Sequence, residues 1–297
     1  MKVKLKYIYA GVAITAALIL GALFVYPDQT LHVIFCDVGQ GDAILITKGT
    51  TQILIDAGPN QKALSCLSNH LPFWDRTIEL IILTHPDNDH LGGLPDVIKG
   101  YNVTQLISHG LVKNSAIFWT FREQVLEKNI PVYSPKAGDK IQLGEIVFEV
   151  LFPQEKLGDE LVWQKQTGTQ VLGAYTYPDK SNETSIVTLL SFEDFDVLLT
   201  GDISSQEEEV ISIETDIEKD IEVLKVAHHG SKYSSSEEFL ERIDPDLAVI
   251  SVGKNSYGHP TKEVLERLSQ QAIKLLRTDL DGEVELVSDG KSWGVRR

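Results

Sequence analysis

The sequence predicts a four-layer α/β sandwich, two packed sheets with helices outside them, preceded by one N-terminal transmembrane helix. Three observations carry this. Short apolar runs bounded by turn residues come first, then alternate with helical stretches, and this progression occurs twice along the chain. The 297 residues suffice for one large α/β domain, and 42% hydrophobic with 24% charged content belongs to a chain with a buried core. Residues 8–26 carry no charge and follow Lys2, Lys4 and Lys6.

That uncharged run of 19 residues is just long enough to cross a ~30 Å hydrocarbon core as a helix. Basic residues before it and none directly after predict an inside N-terminus. The expected organisation is a short basic cytoplasmic tail over 1–7, a membrane signal-anchor over 8–26 and one domain over 27–297. The protein is expected in the cell membrane, single-pass, with that domain extracellular. A cleaved secretory signal is the competing reading, but the run ends Ala22-Leu23-Phe24-Val25-Tyr26, a poor cleavage site. Two cysteines exclude a disulfide scaffold and a Cys-based zinc finger. Cys36, within Val33-Ile34-Phe35-Cys36, reads as a small core residue rather than as a partner of Cys66.

The elements follow in order. Strands are expected over 31–37, 43–47 and 52–56, with tight turns between them, then a helix over 61–70. The apolar stretch 79–84 reads as a strand covered on both faces. A helix over 93–99, a strand over 105–108, a helix over 114–129 and a strand over 146–152 follow. Residues 154–181 lack periodicity and read as a long surface loop. The second half resumes with strands at 184–191 and 197–200. An acidic helix over 204–211 comes next, with Glu207, Glu208 and Glu209 on a solvated face. Strands at 221–227 and 247–252 alternate with helices at 236–243 and 262–270, and short strands at 272–277, 283–287 and 292–295 complete the pattern.

The net charge is −16, and beyond residue 30 only 24 basic residues face 42 acidic ones. Such a chain repels polyanions at long range, which argues against broad electrostatic binding of nucleic acid. Bound cations would reverse the local field, so chemistry on a phosphate stays open. The sharpest feature is Thr84-His85-Pro86-Asp87-Asn88-Asp89-His90-Leu91-Gly92-Gly93, four potential ligands in six residues at the end of an apolar strand. A solvated acidic loop is the plain alternative. Three more clusters follow strands in the same way: Thr200-Gly201-Asp202, Ala227-His228-His229-Gly230-Ser231 and Asn255-Ser256-Tyr257-Gly258-His259-Pro260. Asp202 is either a bridging carboxylate or the cap of the next helix. His259 is either a loop histidine without a task or a substrate-facing acid or ligand.

Loops at the C-terminal ends of strands converge in α/β sheets, so the four clusters point to one site. The chemistry they suit is metal-assisted hydrolysis by two divalent cations sharing a water and a carboxylate, with Asp202 as the bridge. No G-x-S-x-G elbow and no G-x-x-x-x-G-K-[ST] phosphate loop occurs.

With these residues in place, the chain resembles the metallo-β-lactamase superfamily. His85-Pro86-Asp87-Asn88-Asp89-His90 is similar to its H-x-H-x-D-H signature, with Asp87 where the second histidine stands. That exchange favours a more oxygen-rich site and makes Mn²⁺ a competitor of Zn²⁺. More closely, the chain resembles the ComEC-type hydrolase domain of competence proteins. The matching stretches are 37–46, 84–93, 181–185, 200–202, 228–231, 257–260 and 278–282, in the family's order.

The resemblance implies an αββα fold and two metal ions, Zn²⁺ or Mn²⁺. Their ligands would be His85, Asp87, Asp89, His90, Asp202 and His228, with His229 as the alternative to His228. Asp89 and His90 would serve one ion, His85 and Asp87 the other. Asp89, His229 and His259 are the catalytic candidates. Asn182 and Ser185 would contact substrate or metal-bound water, Asp37, Gln40 and Asp42 would orient ligands, and Asn255 and Tyr257 would either support the ligands or bind substrate. His109 lies too early to supply the further histidine common in the superfamily. The implied substrate is a phosphodiester, in nucleic acid or in an envelope phosphoester, and the implied partner is DNA-uptake machinery. ComEC's multi-helix channel has no counterpart in this sequence. A phosphocholine-type esterase is the second enzyme reading, with Trp163, Tyr175 and Tyr177 as a cage for a quaternary ammonium group. A metal-stabilised binding module is the non-enzymatic one.

Overall fold

In the computed structural model, residues 6–7, 9–16, 27–158, 160–164, 181–215, 217 and 221–296 are described. Runs rich in Ile, Val and Leu give the strands. These are β1 (Leu31–Phe35), β2 (Ile44–Lys48), β3 (Thr51–Ile55), β4 (Thr77–Ile82), β5 (Asn102–Ile107), β6 (Val132–Tyr133), β7 (Lys140–Leu143), β8 (Ile146–Phe152), β9 (Val187–Phe192), β10 (Phe195–Leu199), β11 (Val223–Lys225), β12 (Leu247–Ile250), β13 (Lys274–Arg277), β14 (Val284–Ser288) and β15 (Trp293–Arg296). The helices are α1 (Lys62–His70), α2 (Asn88–Leu91), α3 (Leu94–Gly100), α4 (Ala116–Glu127), α5 (Ser205–Glu214), α6 (Glu237–Ile243), α7 (Lys262–Gln270) and α8 (Thr278–Asp281).

One sheet has the strand order β15-β14-β1-β2-β3-β4-β5-β6 and the other β13-β12-β11-β10-β9-β8-β7. Alternation along β1 shows why they pack. Val33 and Phe35 join Phe148 and Val197 in the core between the sheets, while Ile34 faces the helices outside. Helices α1, α3 and α4 cover the first sheet through Leu67, Val97 and Phe121, and α5, α6 and α7 cover the second through Ile211, Leu240 and Val264. This is the expected four-layer sandwich. β3 to β6 run parallel, as do β10 to β13, so the C-terminal ends of both parallel sets open toward one edge of the sandwich.

Several expectations are corrected. Among the described residues no helix is long and apolar enough to cross a membrane. The continuous helical residues 9–16 are exposed and span only about 12 Å. The anchor over 8–26, the membrane contact and the single-pass outside placement built on it are therefore not supported; residues 8 and 17–26 lie outside the described residues. Cys36 is buried as expected, but it is bonded to Cys66 of α1, with the Cα atoms 5.9 Å apart. Its side chain leaves the end of β1 toward the helix layer, where α1 presents Cys66.

The stretch 154–181 is not wholly a surface loop. Residues 160–163 form a 3₁₀ turn that buries Val162 and sets the Trp163 ring 6.0 Å from that of Phe121; residues 159 and 165–180 lie outside the described residues. Glu207 and Glu208 are buried, not solvated. Glu207 closes a capping box with Ser204, and Glu208 accepts hydrogen bonds from the N–H groups of Ser235 (2.5 Å) and Ser236 (2.9 Å), the otherwise unpaired donors at the start of α6. The hairpin strand β7 carries too few apolar residues to announce itself.

The disulfide closes a sequence separation of 30 residues. Denatured but unreduced protein is expected to show no free thiol in a thiol titration. Replacing both cysteines by alanine should lower stability by roughly 2–4 kcal/mol in urea unfolding.

Candidate metal centre

Strand ends build the site. β4 runs into Thr84 and His85, and the single turn of α2 then carries Asp89 and His90. Backbone hydrogen bonds fasten neighbouring loops to that turn: Asp42 N–H to Asp89 O (3.1 Å), Ala57 N–H to His90 O (2.8 Å) and Gly93 N–H to Gly58 O (2.9 Å). The approach is so close that a Cβ on Gly41 would lie 2.2 Å from the Asp89 carbonyl oxygen, and one on Gly93 2.3 Å from that of Ala57. Glycine is required at both. From the other sheet, β10 delivers Asp202 and β11 delivers His228 and His229. The Ile186 N–H donates to Thr84 O at 3.0 Å, which ties the two sheets together beside the site.

Asp89, His90, Asp202 and His229 offer ligand atoms all within 4.8 Å of one another. His90 Nε2 and His229 Nε2 each lie 3.3 Å from Asp202 Oδ2, and His229 Nε2 lies 3.5 Å from Asp89 Oδ2. The other nitrogen of each ring is committed. His90 Nδ1 bonds Asp56 Oδ2 at 2.7 Å, and His229 Nδ1 bonds the Ser251 carbonyl at 2.8 Å, which aims both Nε2 atoms at Asp202. Asp56 is held in turn by the Thr84 N–H (2.8 Å) and hydroxyl (2.6 Å). The Lys225 ammonium, fully buried, touches Asp42, donates to Gly201 O at 2.9 Å and lies 3.6 Å from Asp202 Oδ1.

The charges follow from this packing. Burial alone would raise Asp202 and Asp89; the imidazoles of His229 and His90 outweigh it and hold both carboxyls below their usual range. Burial opposes the charge on His229, yet Asp202 and Asp42 push it up to about 10, and His90 is raised likewise by Asp202 and Asp56. His85, buried and beside His90, is held well below the ordinary imidazole value.

The other expected residues divide. His85 Nδ1 contacts Ser185 Oγ at 3.2 Å and its ring lies 4.0 Å from that of His90; Ser185 Oγ also accepts the Asp202 N–H at 3.0 Å. His228 stands back, its Nε2 4.0 Å from Asp202 and 3.1 Å from Asn182 Nδ2, and the ring in the cluster is that of His229. The His259 ring lies 5.3 Å from that of His228 and 5.8 Å from that of Tyr257, which is nearly parallel to it. Asp42 lies within the site, and Gln40 accepts from the Gly253 N–H at 3.4 Å. Asp87 is outside the cluster, bound to Lys113 Nζ (2.5 Å) and the Ser181 hydroxyl. Asp37 is exposed and accepts from the Gly39 N–H at 3.1 Å. Asn255 organises its own loop. The helix-capping role that competed for Asp202 falls to Ser204, whose Oγ accepts from the Gln206 N–H.

Two residues of the site escaped the sequence reading. Asp56 ends the apolar run Ile53-Leu54-Ile55 as the other clusters end theirs, which was an available signal. Lys225, a lone cation inside Val223-Leu224-Lys225-Val226, was the other.

A divalent cation fits this arrangement. Asp202 Oδ1, His90 Nε2, His229 Nε2 and His85 Nε2 are buried with no hydrogen-bond partner among the described residues, which is expensive unless a ligand meets them. Fold and site together define a class. The chain belongs to the metallo-β-lactamase superfamily, whose model matches residues 36–254.

Its similarities are more particular than that. ComE operon protein 3 of Bacillus subtilis (strain 168) is 31% identical over 289 residues, covering 89% of this chain and 34% of that protein. Competence protein ComA of Neisseria gonorrhoeae is 28% identical, covering 87% of this chain and 32% of its own length. The chain thus spans about a third of the length of these relatives. Among solved structures, the metallo-β-lactamase fold protein YhfI of Bacillus subtilis superposes with a TM-score of 0.53 at 10% identity, covering 86% of this chain and 99% of that one, a likeness of fold alone.

A histidine whose folded pKa lies above its unfolded value stabilises fully below about pH 6.5 and loses that contribution as pH climbs through the folded value. In EDTA, thermal stability is therefore expected to fall between pH 6.5 and about 10, the value set for His229 by Asp202. Asp202→Asn should flatten the fall; an unchanged slope in thermal melts would contradict the pairing.

Proposed function

We propose that this protein is a divalent-metal-dependent phosphodiesterase, with nucleic acid as the first candidate substrate. The observation that carries the reading is the convergence of buried ligand atoms on His90, Asp202 and His229 that make no hydrogen bond, with Asp89 beside them. Two carboxylates with two imidazoles suit Zn²⁺ or Mn²⁺. Relatives named for competence support a nucleic-acid substrate.

Bound divalent ions supply a Lewis acid and a water activated at neutral pH. The chain's part is to hold and orient. Asp89, His90, Asp202 and His229 would hold one ion. Asp56 takes the Nδ1 proton side of His90, and the Ser251 carbonyl that of His229, so neither ring can turn away. His85 and His228 are the imidazoles left that would serve a second ion. Asp87 is left out of this set because Lys113 and Ser181 already engage its carboxylate. Asn182 donates from Nδ2 to Nε2 of neutral His228, whose pKa burial lowers. His259 stands beside it toward solvent, neutral for the same reason.

The phosphocholine-esterase reading loses one wall of its cage, because Trp163 packs against Phe118 and Phe121; Tyr175 and Tyr177 lie outside the described residues. It remains as one arm of the test.

The full chain, loaded separately with Mn²⁺ and Zn²⁺, is assayed on bis-p-nitrophenyl phosphate, labelled single-stranded DNA and p-nitrophenylphosphocholine. Metal-dependent cleavage of the diester and of DNA, abolished by Asp202→Asn, is the expected result. Turnover of the choline ester alone would move the function to envelope phosphoesters, and no turnover despite bound metal would overturn the enzyme reading. Asp56→Ala, which frees the His90 ring, should weaken metal binding roughly 10- to 100-fold in a chelator competition.

A further inference from the structure

A line of aromatic rings leads from solvent to the cluster. Tyr257 is 72% exposed, and its ring stacks on that of His259 at 5.8 Å and 29°. His259 meets His228 edge-on at 5.3 Å, and His228 Nε2 lies 4.0 Å from Asp202. The loop that presents Tyr257 is locked by one side chain. Asn255 Oδ1 accepts from the N–H groups of Tyr257 (3.0 Å), Gly258 (2.9 Å) and His259 (3.1 Å), while its Nδ2 donates to the carbonyls of Gly253 (2.9 Å) and His259 (2.8 Å). Five hydrogen bonds thus fix the backbone that carries the Tyr257 ring, which stands mostly in water beside His259. A buried core gains nothing from that; a ligand that stacks gains a platform already ordered.

We propose that Tyr257, backed by His259, is a stacking platform for a base of the strand whose phosphodiester lies at the cluster, and so a determinant of specificity for single-stranded nucleic acid. The inference rests on the phosphodiesterase reading above. The charge of the molecule strengthens it. At −16 the chain lacks the overall positive field that commonly gives affinity for polyanions, so base stacking, which tolerates any sequence, has to supply a large share. A quaternary ammonium group calls for several aromatic faces around it, and Tyr257 offers one. Two ring contacts, of 5.8 and 5.3 Å, separate Tyr257 from His228.

The test uses the full chain in EDTA, so that neither metal nor turnover enters. Fluorescence anisotropy compares a short labelled oligothymidylate with an abasic strand of the same length. The wild type is expected to prefer the base-bearing strand, Tyr257→Ala to lose that preference with affinity down roughly 5- to 100-fold, and Tyr257→Phe to keep it. Equal binding of both strands by the wild type, undetectable binding of either, or an unchanged preference in Tyr257→Ala would overturn the proposal. So would displacement of the strand by p-nitrophenylphosphocholine that depends on Tyr257, which would assign the platform to a cation. Failure here leaves metal-dependent hydrolysis to stand or fall on its own assay.

Discussion

Asp42, Asp56 and Asp202 are nearly inaccessible to water and lie around one another at the centre of the site, with Asp89 at its edge. Burying carboxylates in such a place is costly unless fixed cations stand between them. The imidazoles of His90 and His229 do so on one side, and the buried ammonium of Lys225 does so on the other, touching Asp42 and facing Asp202. The whole edge of the sandwich is arranged around this balance. Removing one partner would leave a buried charge without compensation, worth about 3–5 kcal/mol in comparable cases.

The scaffold makes the balance rigid. Every group in it sits at the C-terminal end of a strand or on the turn after one, and the strands come from both sheets. The backbone accepts strain to aim them: Asp56, His228 and His229 all adopt left-handed conformations, with φ of 56°, 49° and 54°. Such conformations persist where the surroundings over-determine them, and they gather at functional sites. Here the surroundings are the backbone hydrogen bonds that stitch 41–43, 57–58 and 89–93 together, and the packing between Thr84 and Ile186 where the sheets meet.

Much of this was legible beforehand. Apolar runs such as 79–84 and 247–252 gave the strands because a sheet covered on both faces needs them. The polar clusters after those runs gave the site because no core requires adjacent histidines, or two acids and two histidines in six residues. What stayed hidden depends on long-range geometry. Adjacent His228 and His229 are equivalent in one dimension; the left-handed turn after β11 decides which ring faces Asp202. Asp87 has the spacing of a ligand, yet Lys113, 26 positions later, claims it. Cys36 reads as core because burial and pairing with Cys66 look alike until α1 is placed. Glu208 reads as solvated because nothing local reveals that the start of α6 will need an acceptor. Lys225 reads as an interruption of a strand until Asp42 and Asp202 are seen around it.

The first sheet holds one further consequence. β1 lies between β2 and β14, and His32 bonds Glu285 across 253 positions at 2.7 Å. While the chain is being synthesised, β2 and β3 can join β1 within moments, but its other edge waits until nearly all of the sequence has left the ribosome. During that interval an apolar strand bearing Leu31, Val33 and Phe35 offers open backbone groups to any extended segment nearby. The sandwich therefore cannot mature half by half, despite the repeated plan of its two sheets. A chain interrupted before β14 would leave that edge of β1 open, a candidate for intermolecular pairing rather than for a smaller functional unit.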